Sequence, residues 1–374
     1  MIWEVLFWSG AGIVFTAYVG YGLWVAALSR IRPADNQPRY RPDPELPRVT
    51  CVMAAANEAA LIGRKIEILT QQDYPPEKLE IVVVSDGCTD ATEAIVSQWT
   101  ARDPRIRLLR TPRRSGKPTA LNLARSQVVT EVMALMDVRQ ELPPNAVRDL
   151  VAYLAIPGVG AVSGDLQVRA DRYWTYEGLV RKHESRSGSM VQVTGSLYAL
   201  RTADFPEIPA ETILDDVYVP LQIALRGGRI VMAEPAKSLD VVTRSVGSEF
   251  VRKVRTLAGL VQVCHLVQGC LAPRRNPVWA RFLVHKLFRL VAPYGLLLML
   301  AGAAMAQGWF YRSALIGAAA LVLLAVGGSL GIRLRLASLS QSIVALNLAA
   351  LWAVPWYYLG RASVTWARVE VDRT

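Results

Sequence analysis

The sequence predicts an α/β fold, with a mostly parallel open sheet in the middle of the chain and apolar helices on both sides of it. Two observations support this fold class. Strand-like and helix-like segments alternate in the middle, and hydrophobic residues, 52% of the 374-residue chain, are concentrated near its two ends. A charged middle between apolar ends is typical of a soluble domain attached to membrane-spanning helices.

The first apolar segment runs from Val5 to Leu28 without a charged residue. As a helix it is long enough to cross a hydrocarbon core of about 30 Å. A signal peptide would have basic residues before a shorter apolar stretch, whereas here the basic residues follow: Arg30, Arg32, Arg39, Arg41 and Arg48. The positive-inside rule therefore predicts an outside N-terminus and a cytosolic middle domain at the inner (plasma) membrane.

Three more apolar runs lie near the other end of the chain: Leu290–Ala306, Ala314–Leu330 and Ile343–Leu359. Each is close to the minimum of about 17–20 residues for a membrane span, so we expect four spans in all. The predicted organisation is a membrane helix (1–29), a linker (30–47), the α/β domain (48–245), amphipathic interfacial helices (246–286), three membrane helices (287–361) and a C-terminal tail (362–374).

Strand and helix signals alternate from residue 48 onward. Near-continuous apolar runs predict strands buried on both faces, and apolar residues at helical spacing predict helices between them. The strands are at 48–56, 79–86, 106–110 and 132–137, and the helices are at 58–72, at 91–100 and from 117. In a sheet of this kind, ligands bind beyond the carboxyl ends of the strands.

Polar side chains follow three of these strands. Asn57 and Glu58 follow the first strand, Asp86 ends the second and Asp137 ends a later one. Because the carboxyl ends of parallel strands meet at one edge of a sheet, we expect these side chains to lie along the same crevice.

The segment "SDGCTDAT" (85–92) also has a structural interpretation. Its Asp-Gly pair favours a turn, and Thr89 or Asp90 would cap the next helix. A ligand-facing role and a capping role are compatible within one segment.

The net charge of +11 is explained by basic residues that flank the membrane segments on the cytosolic side. No nucleic-acid motif accompanies this charge, so no nucleic-acid partner is predicted. The four cysteines, Cys51, Cys88, Cys264 and Cys270, predict reduced structural thiols. The residues around Cys264 and His265 match no standard zinc spacing.

Six segments occur in the order expected for family 2 glycosyltransferases: "SDGCTDAT", "RRSGKPTALN", "MDVRQELPP", "TGSLYAL", "LDDVYVPLQIALRGGRIV" and "RKVRTLAG". Over roughly residues 48–259 the chain resembles the membrane-integrated branch of that family, which includes the cellulose, hyaluronan and chito-oligosaccharide synthases and the ceramide glucosyltransferases. The resemblance implies a GT-A fold, similar to a Rossmann fold, for the cytosolic domain. It also implies transfer of a hexose from a nucleotide-sugar, with a UDP-sugar as the expected donor.

The resemblance assigns the donor-binding residues. Asp86 matches the family's first aspartate, which contacts the nucleotide base, and Asn57 with Glu58 matches the pair that lines the same pocket. Lys117 would bring a positive charge to the nucleotide or its phosphates at a helix start, where the helix dipole also favours anions. A solvated surface lysine is the alternative.

The metal-binding motif departs from the family pattern. Asp137 resembles the first aspartate of the DxD motif, which holds Mg²⁺ or Mn²⁺ against the diphosphate, but the motif reads Asp-Val-Arg. In one account Arg139 grips the diphosphate directly and replaces part of the metal's charge. In the other, Asp137 alone anchors the metal, while Arg139 and Gln140 serve the sugar or acceptor; one carboxylate suffices when phosphates supply the other ligands.

The catalytic base is expected at the start of a later helix. By the resemblance, Asp216 takes the proton of the acceptor, with Asp215 beside it, and the segment containing Thr194 and Gly195 lies on the acceptor side. The alternative for the Asp-Asp pair is an N-cap.

The family's processive members carry Gln-x-x-Arg-Trp on a helix at the membrane surface. The matching residues here are Arg252, Arg255 and Thr256. Arg255 can still meet the leaving diphosphate, but the tryptophan that would form the floor of the acceptor site is missing. Single transfer or a short oligosaccharide is therefore favoured, with a surface helix of snorkelling basic residues as the structural alternative.

Together these features predict a membrane-bound inverting glycosyltransferase that uses a nucleotide-sugar and a lipid-linked or saccharide acceptor. Polysaccharide-export or assembly proteins are possible partners. Three alternatives remain at this point: a nucleotidyltransferase, a catalytically altered membrane assembly partner and, least supported, a small transporter.

Overall fold

The computed structural model describes residues 1–168, 172–240, 246–330 and 334–360. The chain divides into two compact units. Within the described residues, the helical unit comprises 1–24, 246–262, 280–330 and 334–360, and the sheet unit comprises 25–168, 172–240 and 263–279.

The helices of the described residues are numbered in chain order. They are α1 (Ile2–Phe15), α2 (Tyr21–Ile31), α3 (Ile62–Thr70), α4 (Thr92–Thr100), α5 (Lys117–Gln127), α6 (Ala146–Leu154), α7 (Arg172–Arg186), α8 (Asp215–Leu225), α9 (Val246–Leu266), α10 (Trp279–Arg281), α11 (Phe288–Met305), α12 (Trp309–Ser329) and α13 (Arg335–Tyr358).

The sheet unit contains a seven-stranded sheet in the order β3-β2-β1-β4-β6-β5-β7. Its strands are β1 (Val49–Ala55), β2 (Leu79–Asp86), β3 (Ile106–Thr111), β4 (Val132–Met136), β5 (Val159–Val168), β6 (Leu197–Arg201) and β7 (Arg229–Asp240). Pairing is parallel except where β6 runs antiparallel to β4 and β5. The predicted mostly parallel α/β fold is therefore confirmed.

The central strands are buried on both faces. Every residue of β1 and β4 is buried, as expected where helices cover both sides of a parallel sheet and the strand sequence is almost continuously apolar. Helix α3 packs its apolar face into this core through Ile62, Ile66 and Leu69.

The helix predicted from residue 58 begins four residues later, at Ile62. Residues 58–61 form a turn instead, and two of their backbone amides bond to the loop before α4. The Glu58 amide donates to Thr92 Oγ1 at 2.9 Å, and the Ala59 amide donates to Asp90 Oδ2 at 3.2 Å. This turn therefore joins the end of β1 to the start of α4.

The segment predicted as a linker runs along the sheet unit. The Ala34 amide donates to the Arg186 carbonyl at 2.7 Å, and the Arg39 amide donates to the Ala152 carbonyl at 2.9 Å. The segment contains a short 3₁₀ helix at Asp43–Glu45, and these backbone hydrogen bonds fix its course.

Within the described residues, four helices are long and apolar enough to cross a membrane: Ile2–Ile31, Trp279–Met305, Trp309–Ser329 and Leu339–Tyr358. The first includes a π-helical segment at Thr16–Gly20. Helices α1 and α11 approach closely, since a Cβ at Gly10 would overlap the backbone of Gly295 and Met299. The four predicted spans are thus present as helices in the structure.

Candidate active site

The carboxyl ends of β2, β1 and β4 meet at one edge of the sheet. Register pairs Ala55 of β1 with Ser85 of β2, and Met53 of β1 with Met136 of β4. The residues that follow these positions in the chain, Asn57, Asp86 and Asp137, therefore lie along this edge, where parallel sheets bind ligands.

Asp86 lies at this edge but is almost completely buried, with 1% of its surface exposed. Its Oδ1 accepts hydrogen bonds from the Ser115 amide at 2.7 Å and the Thr111 hydroxyl at 3.0 Å. Its Oδ2 accepts from the Gly116 amide at 2.8 Å. These bonds give Asp86 a clear local role, because they fix the segment that leads into Lys117; the predicted contact with a nucleotide base stays a prediction.

Asn57 adopts a left-handed backbone conformation with φ of 61°. Its side-chain oxygen accepts a hydrogen bond from the Thr89 amide at 2.7 Å, which joins the loops that follow β1 and β2. Asparagine tolerates this conformation better than most residues. The N-cap of α4 is Ala91, so the prediction that Thr89 or Asp90 caps this helix is wrong, although Asp90 Oδ1 accepts a hydrogen bond from the Thr92 amide at 3.0 Å.

Glu58 brings a third carboxyl to the site. Burial raises the pKa of Glu58; the positive charge of Arg139 opposes this effect, and the negative charges of Asp137 and Asp90 add to it. Glu58, Asp137 and Arg139 therefore act on one another electrostatically.

Lys117 is the centre of the site. It is the first residue of α5 and is 8% exposed. Its Nζ lies 2.9 Å from Asp137 Oδ1, 3.6 Å from Asp215 Oδ2 and 3.4 Å from the Gly195 carbonyl oxygen. The alternative of a solvated surface lysine does not fit this burial, and the predicted contact of Lys117 with the nucleotide or its phosphates stays a prediction.

The charge of Lys117 is held by its neighbours. Burial alone would lower the pKa of Lys117, but the carboxylates of Asp137, Asp215 and Asp216 outweigh it and raise that pKa. The ammonium group of Lys117 therefore keeps its charge in spite of its burial.

Asp215 and Asp216 are the first two residues of α8, and Leu214 is the N-cap. The N-cap interpretation of this pair is therefore wrong, although the helix dipole still favours their negative charges. A Cβ built on Gly195 would lie 3.5 Å from Lys117 Nζ and 3.9 Å from Asp216 Oδ2. Gly195 thus lies directly beside the predicted base and the lysine.

Tyr198 on β6 was not predicted from the sequence. Its ring is fully buried, and within the described residues its hydroxyl has no hydrogen-bond partner. Burial raises the pKa of Tyr198 well above its ordinary value, and the charges of Asp215, Asp216 and Asp137 add to this effect. The hydroxyl therefore lies within electrostatic reach of all three carboxylates.

Two predicted acceptor-side residues have buried side chains. The Thr194 hydroxyl is hydrogen bonded to the Ser196 hydroxyl at 2.8 Å. Gln140 Nε2 lies 3.5 Å from Asp240 Oδ2. Both side chains thus have polar neighbours within the protein. Their contact with an acceptor stays a prediction.

The two predicted diphosphate-binding arginines lie in different units. Arg139 is half-buried beside Asp137, and its guanidinium makes no hydrogen bond to the part of the chain that the structure describes. Arg255 lies on α9 in the helical unit, and its predicted contact with the diphosphate stays a prediction.

The residues around Asp137 offer a divalent ion one ligand, the carboxylate of Asp137 itself. No group of three histidine, cysteine, aspartate or glutamate side chains suited to a metal occurs within the described residues. Lys117 bonds to Oδ1 of Asp137, and the Asp137 side chain is 30% exposed. Mg²⁺ is often held by one or two carboxylates plus substrate phosphates, so this donor set suits an ion that arrives with a diphosphate.

Residues 50–195, which contain most of the residues at this edge, match the profile of "Glycosyl transferase family 2". The chain therefore contains a family 2 glycosyltransferase domain. The match spans the segment from β1 through Gly195 and ends before the Asp215–Asp216 pair.

Curated relatives of this family 2 domain include synthases of a glycolipid and of a polysaccharide. The chain is 27% identical over 273 residues to the beta-monoglucosyldiacylglycerol synthase of Synechocystis sp., a match that covers 66% of this chain and 56% of the relative. It is 22% identical over 232 residues to the poly-beta-1,6-N-acetyl-D-glucosamine synthase of Staphylococcus aureus, covering 58% and 55%. The chain thus matches about half the length of these relatives.

Among solved structures, the chain is similar to the mannosyltransferase of Pyrobaculum calidifontis in complex with GDP-Man and Mn²⁺. The TM-score is 0.72 at 25% identity, and the match covers 94% of this chain and 99% of the other. This likeness supports a GT-A fold for the sheet unit, in agreement with the family 2 match.

Proposed function

We propose that the protein transfers a sugar from a nucleotide-sugar to a lipid-linked or saccharide acceptor, with inversion at the anomeric carbon. The observation that carries this proposal is the position of Lys117, whose ammonium lies between Asp137 and Asp215 and next to Asp216 at the carboxyl edge of the sheet. One cluster thus offers a charge for the diphosphate and a base for the acceptor.

In the proposed reaction the acceptor hydroxyl attacks C1 of the donor sugar. The bond between C1 and the diphosphate oxygen breaks, and the acceptor proton passes to Asp216. The leaving nucleoside diphosphate gains negative charge, which Arg139 and Lys117 would stabilise from this side of the sheet. Asp215 and the start of α8 would hold Asp216 in place.

Asp137 is the residue that would hold Mg²⁺ or Mn²⁺. When bound, such an ion neutralises charge on the diphosphate oxygens. The similar mannosyltransferase contains Mn²⁺, which supports this assignment by analogy. Because position 139 supplies a guanidinium where the family has a carboxylate, Asp137 would be the single aspartate ligand from this motif.

The acceptor is proposed to meet the enzyme at a membrane. Four helices of suitable length and composition and a glycolipid synthase among the relatives support a membrane-bound enzyme with a cytosolic sheet unit and a lipid acceptor. Thr256, where processive relatives carry tryptophan, favours single transfer over polymer synthesis.

The test is nucleotide release by the detergent-purified full chain across a panel of UDP- and GDP-sugars, with membrane extract as the acceptor source. Each donor is assayed with Mn²⁺, with Mg²⁺ and with chelator. Release from one donor, coupled to a glycosylated product, supports the proposal. No release from any donor contradicts it and favours the assembly-partner alternative; net formation of a nucleotide-sugar would instead indicate a nucleotidyltransferase.

A further inference from the structure

A second lysine lies beneath the donor edge of the sheet. Lys65, on α3, is 1% exposed. The pattern of the helix places it on the apolar face, since Ile62, Ile66 and Leu69 share that face and are fully buried. A charged residue therefore occupies a position where helical periodicity calls for an apolar one.

Lys65 is not explained by an ion pair. Within the described residues its Nζ makes one hydrogen bond, at 2.7 Å, to the backbone carbonyl of Gln140, and no ion pair of Lys65 with a carboxylate is found there. Burying an ammonium group without a paired anion is costly. A methionine of similar length would fill the same space without this cost.

The carbonyl that Lys65 binds belongs to the segment from Asp137 to Glu141. This segment is held at one end by the Asp137 amide, which donates to the Ser196 carbonyl at 3.3 Å, and at the other by reciprocal bonds between Glu141 and Leu239 at 3.1 and 2.9 Å. Lys65 supplies the attachment between these two ends. Arg139 lies in the same segment, next to the bonded residue.

The surroundings of Lys65 disfavour its charged form. Burial lowers the pKa of Lys65 to about 8, and the charges of Asp137 and Glu141 oppose this effect. Burial also raises the pKa of the Cys51 thiol to about 12, so the thiol stays protonated where the lysine titrates. Perturbed ionisable groups of this kind are concentrated at functional sites.

We propose that Lys65 is a positioning residue for donor binding, which holds the Asp137–Glu141 segment through the Gln140 carbonyl and adds a buried positive charge beneath the diphosphate site. The proposal rests on the function proposed above. It requires that the ammonium group weakens the fold and strengthens the binding of a nucleoside diphosphate.

The experiment measures UDP and GDP binding to the detergent-purified full chain by calorimetry in the presence of Mn²⁺, together with melting temperatures at pH 7. The variant is Lys65→Met, and the matched control is Ile66→Ala on the same helix face. For Lys65→Met we expect Kd to increase by about tenfold, as the loss of one nearby charge in a partly buried site would cause, and the melting temperature to increase. Ile66→Ala should lower the melting temperature and leave Kd unchanged.

A second measurement follows the pH dependence of nucleotide binding. For the wild type, Kd should rise between pH 7 and pH 8.5 as Lys65 loses its proton, and this rise should be absent in Lys65→Met. Either of two results for Lys65→Met overturns the inference. One is an unchanged Kd, and the other is weaker binding together with a lower melting temperature, as in a packing variant. Failure of the wild type to bind either UDP or GDP overturns the proposed function as well, and so separates the two claims.

Discussion

Lys117 and Lys65 are both buried near the same edge of the sheet, yet their surroundings are opposite. The Lys117 ammonium lies 2.9 Å from Asp137 Oδ1 and 3.6 Å from Asp215 Oδ2, and its pKa is raised. The Lys65 ammonium bonds to a single carbonyl, and its pKa is lowered to about 8. Burial acts on both lysines in the same direction, so the carboxylates decide the difference.

This difference separates two uses of a buried charge. Lys117 is stabilised by anions and in turn holds them together, so its removal damages both the fold and the site. Lys65 has no such compensation, so its charge weakens the fold and is retained for another reason. Stability and function should therefore change together at Lys117 and in opposite directions at Lys65.

The largest expected effect is on the rate of sugar transfer, at Asp216, the proposed base beside Lys117. Asp216→Asn should reduce the rate of sugar transfer by about 10²–10⁴-fold, because the acceptor hydroxyl loses its general base. Asp215→Asn should lose less, and Asp204→Asn, outside the cluster, should be unchanged. Product formation with the preferred donor measures all three, and equal losses for Asp215→Asn and Asp216→Asn would contradict the assignment of the base.

Lys117→Met should be the next largest effect. It removes the cation that lies among Asp137, Asp215 and Asp216, and breaking a buried ion pair on one side costs about 3 kcal/mol or more. Thermal unfolding at pH 7 should show a clear fall in melting temperature, and UDP or GDP should bind more weakly. Lys237→Met, at an exposed lysine on β7, is the control that should leave both unchanged.

Much of the first half of the sheet could be predicted from the sequence. Continuous apolar runs ended by Asn57, Asp86 and Asp137 predict buried parallel strands whose polar ends share an edge, and this is how β1, β2 and β4 are arranged. The signal is local, since each strand and the polar residue after it are adjacent in the chain.

The second half could not be predicted in the same way. β5 contains glycine, serine and aspartate, and β7 contains Pro235 within a register shift between the two strands. β6 is short and antiparallel, between strands distant in sequence. These strands are specified by pairing with distant partners, which leaves little periodicity to read.

The site divides along the same line. Lys117, Asp137 and Asp216 could be selected from the sequence as candidate site residues. The distances between them depend on β6, which brings Gly195 beside α5 and α8. Tyr198 and Lys65 were missed for different reasons. Tyr198 resembles an ordinary strand residue, whereas Lys65 carried a usable signal, a lysine on an apolar helix face.

Arg139 allows a smaller test of how the Lys117 cluster meets the donor. Arg139→Asp restores a second carboxylate two residues after Asp137, so UDP or GDP binding should become about tenfold more dependent on Mn²⁺. Arg139→Ala should weaken binding in chelator without this gain, because it loses the guanidinium and adds no ligand. Calorimetry with Mn²⁺ and with chelator measures both, and equal chelator sensitivity in the wild type and Arg139→Asp would contradict the role of this position.

The smallest expected effect is the pH dependence of stability at Lys65. An unfolded lysine titrates near pH 10.4, and folding lowers the pKa of Lys65 to about 8. Between these values the unfolded state binds more protons, so the free energy of unfolding should rise with pH by on the order of 1 kcal/mol per pH unit. Lys117 adds no slope there, because its pKa is raised and its charge persists.

Melting temperatures from pH 7.5 to 10 measure this slope. It should be present in the wild type and reduced in Lys65→Met, with Ile66→Ala retaining the wild-type slope. Parallel curves for the wild type and Lys65→Met would mean that folding does not lower the pKa of Lys65, so that it keeps its proton over this pH range in the folded as in the unfolded protein.

The most direct test of this account is the melting temperature of Lys117→Met and Lys65→Met at pH 7, without and with saturating UDP or GDP. Without nucleotide, the account predicts shifts of opposite sign, down for Lys117→Met and up for Lys65→Met. Nucleotide should then stabilise both variants less than the wild type, since ligand stabilisation falls as Kd rises. Shifts in the same direction, or full nucleotide stabilisation in both variants, would contradict the distinction between the two lysines and their shared role in binding the donor.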